Sequence, residues 1–132
     1  MFRKDGVPGP NPGGGSKLIN NPQLTIMRWL LPLSLLIFFE VVADIFAKEW
    51  SLYGGAIRWI GAITAYVIAN AYWLLALKNG SGLGRGAIIF SVASAVLAVV
   101  IGYLFYKEEI AGMQLIGILL GIVSLVLIFW EN

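Results

Sequence analysis

Phe38-Phe39-Glu40-Val41-Val42-Ala43-Asp44 is the stretch that decides the fold, because it places two carboxyl groups inside an apolar run from Trp29 to Ala47. A run of this length spans a bilayer when it forms a helix. A carboxylate at the centre of such a helix costs about 2.5–3.5 kcal/mol on insertion scales. Glu40 and Asp44 are the only acids in any apolar segment of the sequence. Acids at this depth mark binding or proton-transfer sites by default, so the rest of the chain is expected to enclose Glu40.

The composition is that of a membrane protein. The chain has 132 residues, of which 59% are hydrophobic and 12% are charged, whereas soluble domains carry about 25% charged residues. It contains no Cys and no His, so disulfides, thiolate ligands and the usual near-neutral base are absent. We therefore expect no metal, no cofactor and no enzymatic activity. The formal charge of +2 gives no indication of a nucleic-acid partner.

Four apolar segments predict an all-α membrane protein, a bundle of four transmembrane helices formed by residues 27–132. The predicted helices cover 28–47, 57–77, 87–106 and 113–130. Residues 1–26 are rich in Gly, Pro, Asn and Ser, which predicts a flexible leader that is native or was added for expression. Pro32 is expected in the first turn of the first helix, where a proline costs little.

The basic residues give no orientation in the membrane. Three lie on each predicted side, with Arg28, Lys78 and Arg85 opposed to Lys48, Arg58 and Lys107. The positive-inside rule therefore predicts no preferred orientation. Either the count is too small to carry a signal, or the protein inserts in both orientations and pairs as an antiparallel, dual-topology homodimer.

Phe39-Glu40-Val41-Val42, followed by Lys48 eight residues after Glu40, resembles the first-helix motif of the small multidrug resistance family. This family belongs to the drug/metabolite transporter superfamily. The similarity covers nearly everything from Met27 onward. Further segments are similar to the family's second helix, third loop and fourth-helix start: Arg58-Trp59, Tyr72-Trp73-Leu74-Leu75-Ala76, Phe105-Tyr106-Lys107-Glu108-Glu109 and Gln114-Leu115-Ile116-Gly117.

The resemblance implies a proton-coupled antiporter that exports small organic or guanidinium-like cations by alternating access. It also implies a homodimer in a bacterial inner membrane, in which Glu40 binds either protons or substrate. The sequence departs from the family's third-helix pattern at Ala87, Phe90, Val92 and Ser94, where a Tyr, a Trp and two kink glycines are usual. These differences leave open a lipid-linked sugar flippase subunit, a polyamine exporter, or a non-transporting or designed helical bundle.

The candidate site residues each have a structural alternative. Glu40 is predicted to bind protons and substrate, although it could be a neutral structural carboxyl. Asp44 is either a second acid in the same cavity or the partner of Lys48 one turn away. The predicted substrate cavity is lined by Asn70, Trp73, Phe90, Ser91 and Ser94. Trp73 could instead be an interface anchor, Phe90 a packing residue, and the three polar residues links between helices.

Gly117 and Gly121 form a GxxxG motif in the fourth helix. Small residues at this spacing let two helices approach closely in lipid. The motif is predicted to pack the dimer, although the same spacing also serves contacts within one bundle.

Overall fold

The structure is a computed structural model that describes residues 22–130. It consists of four helices: α1 (Pro22–Tyr53), α2 (Ala56–Lys78), α3 (Leu83–Tyr106) and α4 (Gly112–Trp130). Each is long and apolar enough to cross a membrane. The predicted all-α, four-span architecture is therefore confirmed, and the chain is a multi-pass membrane protein. The first 21 residues of the predicted leader lie outside the described residues.

Helix α1 is longer than predicted at both ends. It has 32 residues and begins at Pro22, so residues 22–26 are helical and do not belong to a flexible leader. Pro32 lies inside the helix, well beyond the first turn in which it was expected. The helix continues past Ala47 to Tyr53 and ends where Gly54 and Gly55 adopt φ values of 67° and 97°. Such positive values are favoured by glycine and end a right-handed helix.

Helix α3 also begins earlier than predicted. Its first residue is Leu83, so Gly84, Arg85 and Gly86 are helical where a loop was expected. Gly86 is buried at the contact with α2, since a Cβ there would lie 3.1 Å from the ring of Trp73. The glycine therefore permits a close approach of the two helices.

Contacts between the helices define which helices pack together and how α1 and α3 are aligned along the bundle. Helix α1 packs mainly against α2, then against α3, and α4 packs against α3. Arg85 lies over the ring of Trp29, and Tyr106 hydrogen-bonds to Glu49. The two pairs are separated by 56 and 57 residues, so α1 and α3 run parallel in nearly constant register.

The bundle has two unlike halves. In the half that contains the α2–α3 loop, large side chains form a continuous core. This packed half contains Trp29, Leu33, Leu36, Ala69, Ala76 and Ile89, with Phe39, Tyr72, Trp73 and Phe90 against them. In the half that contains the α3–α4 loop, the buried residues are small: Ala43, Ala62, Ala65 and Gly102.

Cavities lie in this second half, which we call the cavity half. One of about 500 Å³ lies between α3 and α4, and one of about 180 Å³ lies between α1 and α3. Of the small buried residues, Gly102 lines the cavity between α1 and α3, where the absence of a side chain leaves volume between the helices unfilled.

Candidate functional site

Glu40 lies on the buried face of α1. Trp29, Leu33 and Leu36 follow one another at intervals of four and three residues, and Ala43 follows Leu36 after seven, so all four lie on one side of the helix. All four are between 0 and 2% exposed. Glu40 falls on the same face between Leu36 and Ala43, yet it is only partly buried. The Glu40 side chain is therefore partly accessible at this point of an otherwise buried face.

Asp44 is held by Tyr66. The phenol of Tyr66 on α2 donates a hydrogen bond of 2.8 Å to Oδ1 of Asp44 on α1. Asn70, one turn from Tyr66, donates its side-chain amide to the Tyr66 carbonyl oxygen at 2.8 Å. Glu40 lies one turn from Asp44 on the same side of α1, and the two carboxyl groups are close enough to repel each other when both are charged.

These four residues, Glu40, Asp44, Tyr66 and Asn70, form what we call the polar cluster. Helices α1 and α2 are antiparallel, so the Asp44–Tyr66 bond and the stacked rings of Phe39 and Tyr72 fix their register. That register places Asn70 at the height of Glu40. Within residues 22–130, the Glu40 carboxyl takes part in no hydrogen bond and no ion pair. Glu40 is therefore the member of the cluster that is available to a proton or a cation.

Tyr66 was not identified from the sequence. The available signal was its position near the middle of α2, because membrane tyrosines are enriched at the two interfaces. A tyrosine away from the interface has a hydroxyl that needs a partner. The Asp44 carboxylate supplies that partner, but the pairing depends on the register between two helices, which the sequence of one helix does not contain.

Lys48 does not pair with Asp44. Its Nζ lies 2.7 Å from Oε1 of Glu108 in the α3–α4 loop. The structural alternative for Asp44, a local pair with Lys48, is thus replaced by a bond to Tyr66 and an ion pair elsewhere. Asp44 also lines the cavity of about 180 Å³ between α1 and α3.

Two residues of the predicted substrate cavity belong to the packed half. The rings of Trp73 and Phe90 contact each other, with centroids 6.4 Å apart and planes tilted by 36°. Both pack against the core that includes Leu33 and Ile89. Their position favours a packing role over direct contact with a substrate. Trp73 also borders a shallow groove on α2 that includes Tyr66 and Asn70.

The two serines of α3 lie in different places. Ser91 is exposed and lines the cavity between α3 and α4. Ser94 is 9% exposed, and its Oγ has no hydrogen-bond partner among the described residues. Of the five predicted cavity residues, the structure therefore brings only Asn70 to the polar cluster.

Gly117 and Gly121 face α3 of the same chain. Gly117 lines the cavity between α3 and α4, and a Cβ on Gly121 would lie 3.1 Å from Cγ1 of Val92. This placement favours the alternative in which the GxxxG motif packs helices within one bundle. The role of the motif in packing a dimer stays a prediction.

No family model, no curated protein and no solved structure matches the chain. The resemblance to the small multidrug resistance family therefore stays a prediction. What the structure defines is a bundle of four helices suited to crossing a membrane, with a pair of carboxyl groups one turn apart on α1.

Proposed function

We propose that this chain is a proton-coupled antiporter that exports small organic or guanidinium-like cations by alternating access. In this proposal it acts as an antiparallel homodimer in a bacterial inner membrane. One observation carries the proposal. Glu40 lies where the packed half of the bundle meets the cavity half, and its side chain is only partly buried on the otherwise buried face of α1.

Such a position suits alternating access. A transporter must expose its binding site to one side of the membrane while closing the other, with the site near the bilayer midplane. Large apolar side chains such as Trp29 and Leu33 close one end of this bundle. Small residues and cavities leave the other end loosely packed. A movement of α3, which borders both cavities, would change which end is closed.

The polar cluster supplies the exchange chemistry. An ionised carboxylate in low dielectric needs either a proton or a positive charge beside it. Glu40 has no competing partner in the described part of the chain, so binding of a proton and binding of a cation to its carboxyl group would exclude each other. Asp44 keeps its hydrogen bond to Tyr66 and places a second carboxyl group one turn away.

The same pair of acids favours a second candidate within this class. Glu40 and Asp44 are separated by a rise of about 6 Å along the helix, which suits a ligand with two positive charges. Export of a polyamine is therefore the alternative that the geometry supports. A lipid-linked anionic sugar is disfavoured, because two carboxyl groups repel its phosphates.

A homodimer supports the mechanism. One protomer presents a single acidic pair, and its Glu40 side chain stays partly exposed. Two antiparallel copies would supply the inverted repeats that larger transporters carry in one chain. Both copies of Glu40 would then face one site and titrate together.

The test is proton release from detergent-solubilised protein on addition of guanidinium, a quaternary ammonium ion or spermidine. Glu40→Gln is expected to abolish release. Glu109→Gln, which neutralises an exposed carboxyl of the α3–α4 loop, is the matched control and should retain it. Release by spermidine alone would select the polyamine exporter. No release by any cation from folded protein would refute the antiporter and favour a non-transporting bundle.

A further inference from the structure

The cavity of about 180 Å³ between α1 and α3 extends from Asp44 to Glu108 of the α3–α4 loop. Asp44 lines it at the membrane end, Lys48 lies one turn further along α1, and Glu108 lines it from the loop. The side chains of Lys48 and Glu108 are 35% and 50% exposed, so this end of the cavity lies at the surface. We call this space the α1–α3 cavity.

Three contacts hold Glu108 across the outer end of the α1–α3 cavity. Its Oε1 lies 2.7 Å from Nζ of Lys48. Its backbone N–H donates to the Gly102 carbonyl oxygen at 3.0 Å. Its Oε2 lies against the backbone of Gly102, so close that a Cβ added to Gly102 would be 2.6 Å from this oxygen. The residue before it, Lys107, has a φ of 55°, which turns the chain sharply enough to bring the carboxylate back over α3.

A second link holds the same two helices together. The hydroxyl of Tyr106 at the end of α3 donates to Oε1 of Glu49 at 2.9 Å, and Nζ of Lys48 lies 5.7 Å from the Tyr106 ring. The end of α1 is thus attached to the end of α3 by neighbouring side chains, and the Lys48–Glu108 pair is the contact that lies over the cavity.

We infer that Lys48 and Glu108 form the gate of a water-filled path from the α3–α4 loop to Asp44. The cavity is large enough for several water molecules, and its carboxylates, ammonium group and phenol provide the polar partners that buried waters require. Its occupant is therefore water, and hydronium travelling through it. This inference rests on the proposed function in one respect, namely that the acidic pair exchanges protons. Separation of the ion pair opens the path, and its formation closes it.

The absence of native cysteine permits a direct test of access. Val41 lines the α1–α3 cavity and is partly buried, and Val41→Cys places a single thiol there. The rate of its reaction with a charged, water-soluble methanethiosulfonate is measured in detergent, where both sides of the protein are accessible. Glu108→Gln should raise this rate roughly two- to fivefold, the range expected for loss of a partly exposed ion pair. Glu109→Gln is the matched control and should leave the rate unchanged.

Two further variants test the gate from its other components. Lys48→Met should raise the labelling rate of Val41→Cys as much as Glu108→Gln does. The combination should raise it no further, because both substitutions remove the same contact. Gly102→Ala retains both charges but its Cβ displaces the Glu108 carboxylate, so it should also accelerate labelling. Size-exclusion chromatography establishes that each variant is folded.

Several results would overturn the inference. A rate unaffected by Glu108→Gln would mean that the pair does not control access. An equal effect of Glu109→Gln would assign the change to loop charge in general. A thiol at Val100, which is 45% exposed outside the cavity, should show no response to Glu108→Gln, and an equal response there would indicate general loosening. Labelling does not require transport, so failure of the gate and failure of cation-dependent proton release are separate results.

Discussion

Replacing Tyr66 with Phe removes one hydroxyl and leaves the aromatic ring, so it isolates the hydrogen bond to Asp44. The bond measures 2.8 Å between the phenol oxygen and Oδ1, within the range of well-formed O–H···O bonds. In water-soluble proteins a bond to a charged group contributes about 1.5–3 kcal/mol. In membrane proteins double-mutant cycles average about 0.6 and reach about 1.7 kcal/mol, because the unfolded state in the membrane also finds partners.

We therefore expect a coupling free energy of about 0.6–1.7 kcal/mol between positions 66 and 44. The cycle compares Tyr66→Phe, Asp44→Ala and the double variant with the parent chain, and the folding free energy is measured by SDS titration in mixed micelles. Tyr103→Phe removes an exposed hydroxyl from α3 and is the control, for which the coupling to Asp44→Ala should be zero. A Tyr66–Asp44 coupling below about 0.3 kcal/mol, close to the error of additivity for independent sites, would refute the assignment of Tyr66 to the polar cluster.

Three further predictions concern stability, measured by the same titration. Leu33→Ala, in the packed half where the side chain is 0% exposed, should cost about 2–5 kcal/mol, whereas Leu127→Ala at 62% exposure should change little; equal losses would contradict the description of the two surfaces. Gly117→Ala should be neutral or stabilising by up to about 1 kcal/mol, because the added Cβ meets nothing within 4 Å. Gly121→Ala should be less favourable, because its Cβ would lie 3.1 Å from Val92 on α3. The reverse order of stability would contradict the packing role of this motif within the chain. Ser94→Ala should stabilise by about 1 kcal/mol, since it removes a buried hydroxyl without a partner in the described chain; a loss of stability would show that the hydroxyl is satisfied in the membrane.

The number and type of the helices could be predicted from the sequence, because apolar runs of about 20 residues must satisfy their backbone groups internally in lipid. Their ends could not. Residues 23–26 are less apolar than the span that follows them, yet α1 includes them. Helix propagation adds a hydrogen bond for each residue and requires no apolar side chain. Hydrophobicity therefore predicts the part of a helix that crosses the membrane, but not where the helix begins and ends.

The candidate site was predictable in part for a related reason. Glu40 could be identified alone, since a single mid-membrane acid is unusual whatever surrounds it. The partners of Asp44 and Lys48 could not be identified from the sequence, because Tyr66 lies on α2 and Glu108 in the α3–α4 loop. The sequence also did not show which neighbouring helix Gly121 contacts. Lipid tails are as apolar as leucine, so a membrane helix carries no polar face to show which side meets a neighbour.

The unequal lengths of the helices have a consequence for the response of the protein to its bilayer. Helix α1, with 32 residues, is about 48 Å long and exceeds a hydrocarbon core of about 30 Å, whereas α4, with 19 residues, reaches about 28 Å. Hydrophobic mismatch costs a fraction of a kcal/mol per ångström and is relieved by tilting or by local thinning of the lipid. In a thicker membrane α4 falls short first, while α1 can stand more upright. Because α4 forms one wall of the cavity beside α3, bilayer thickness acts on the width of that cavity before it acts on the helix that carries Glu40.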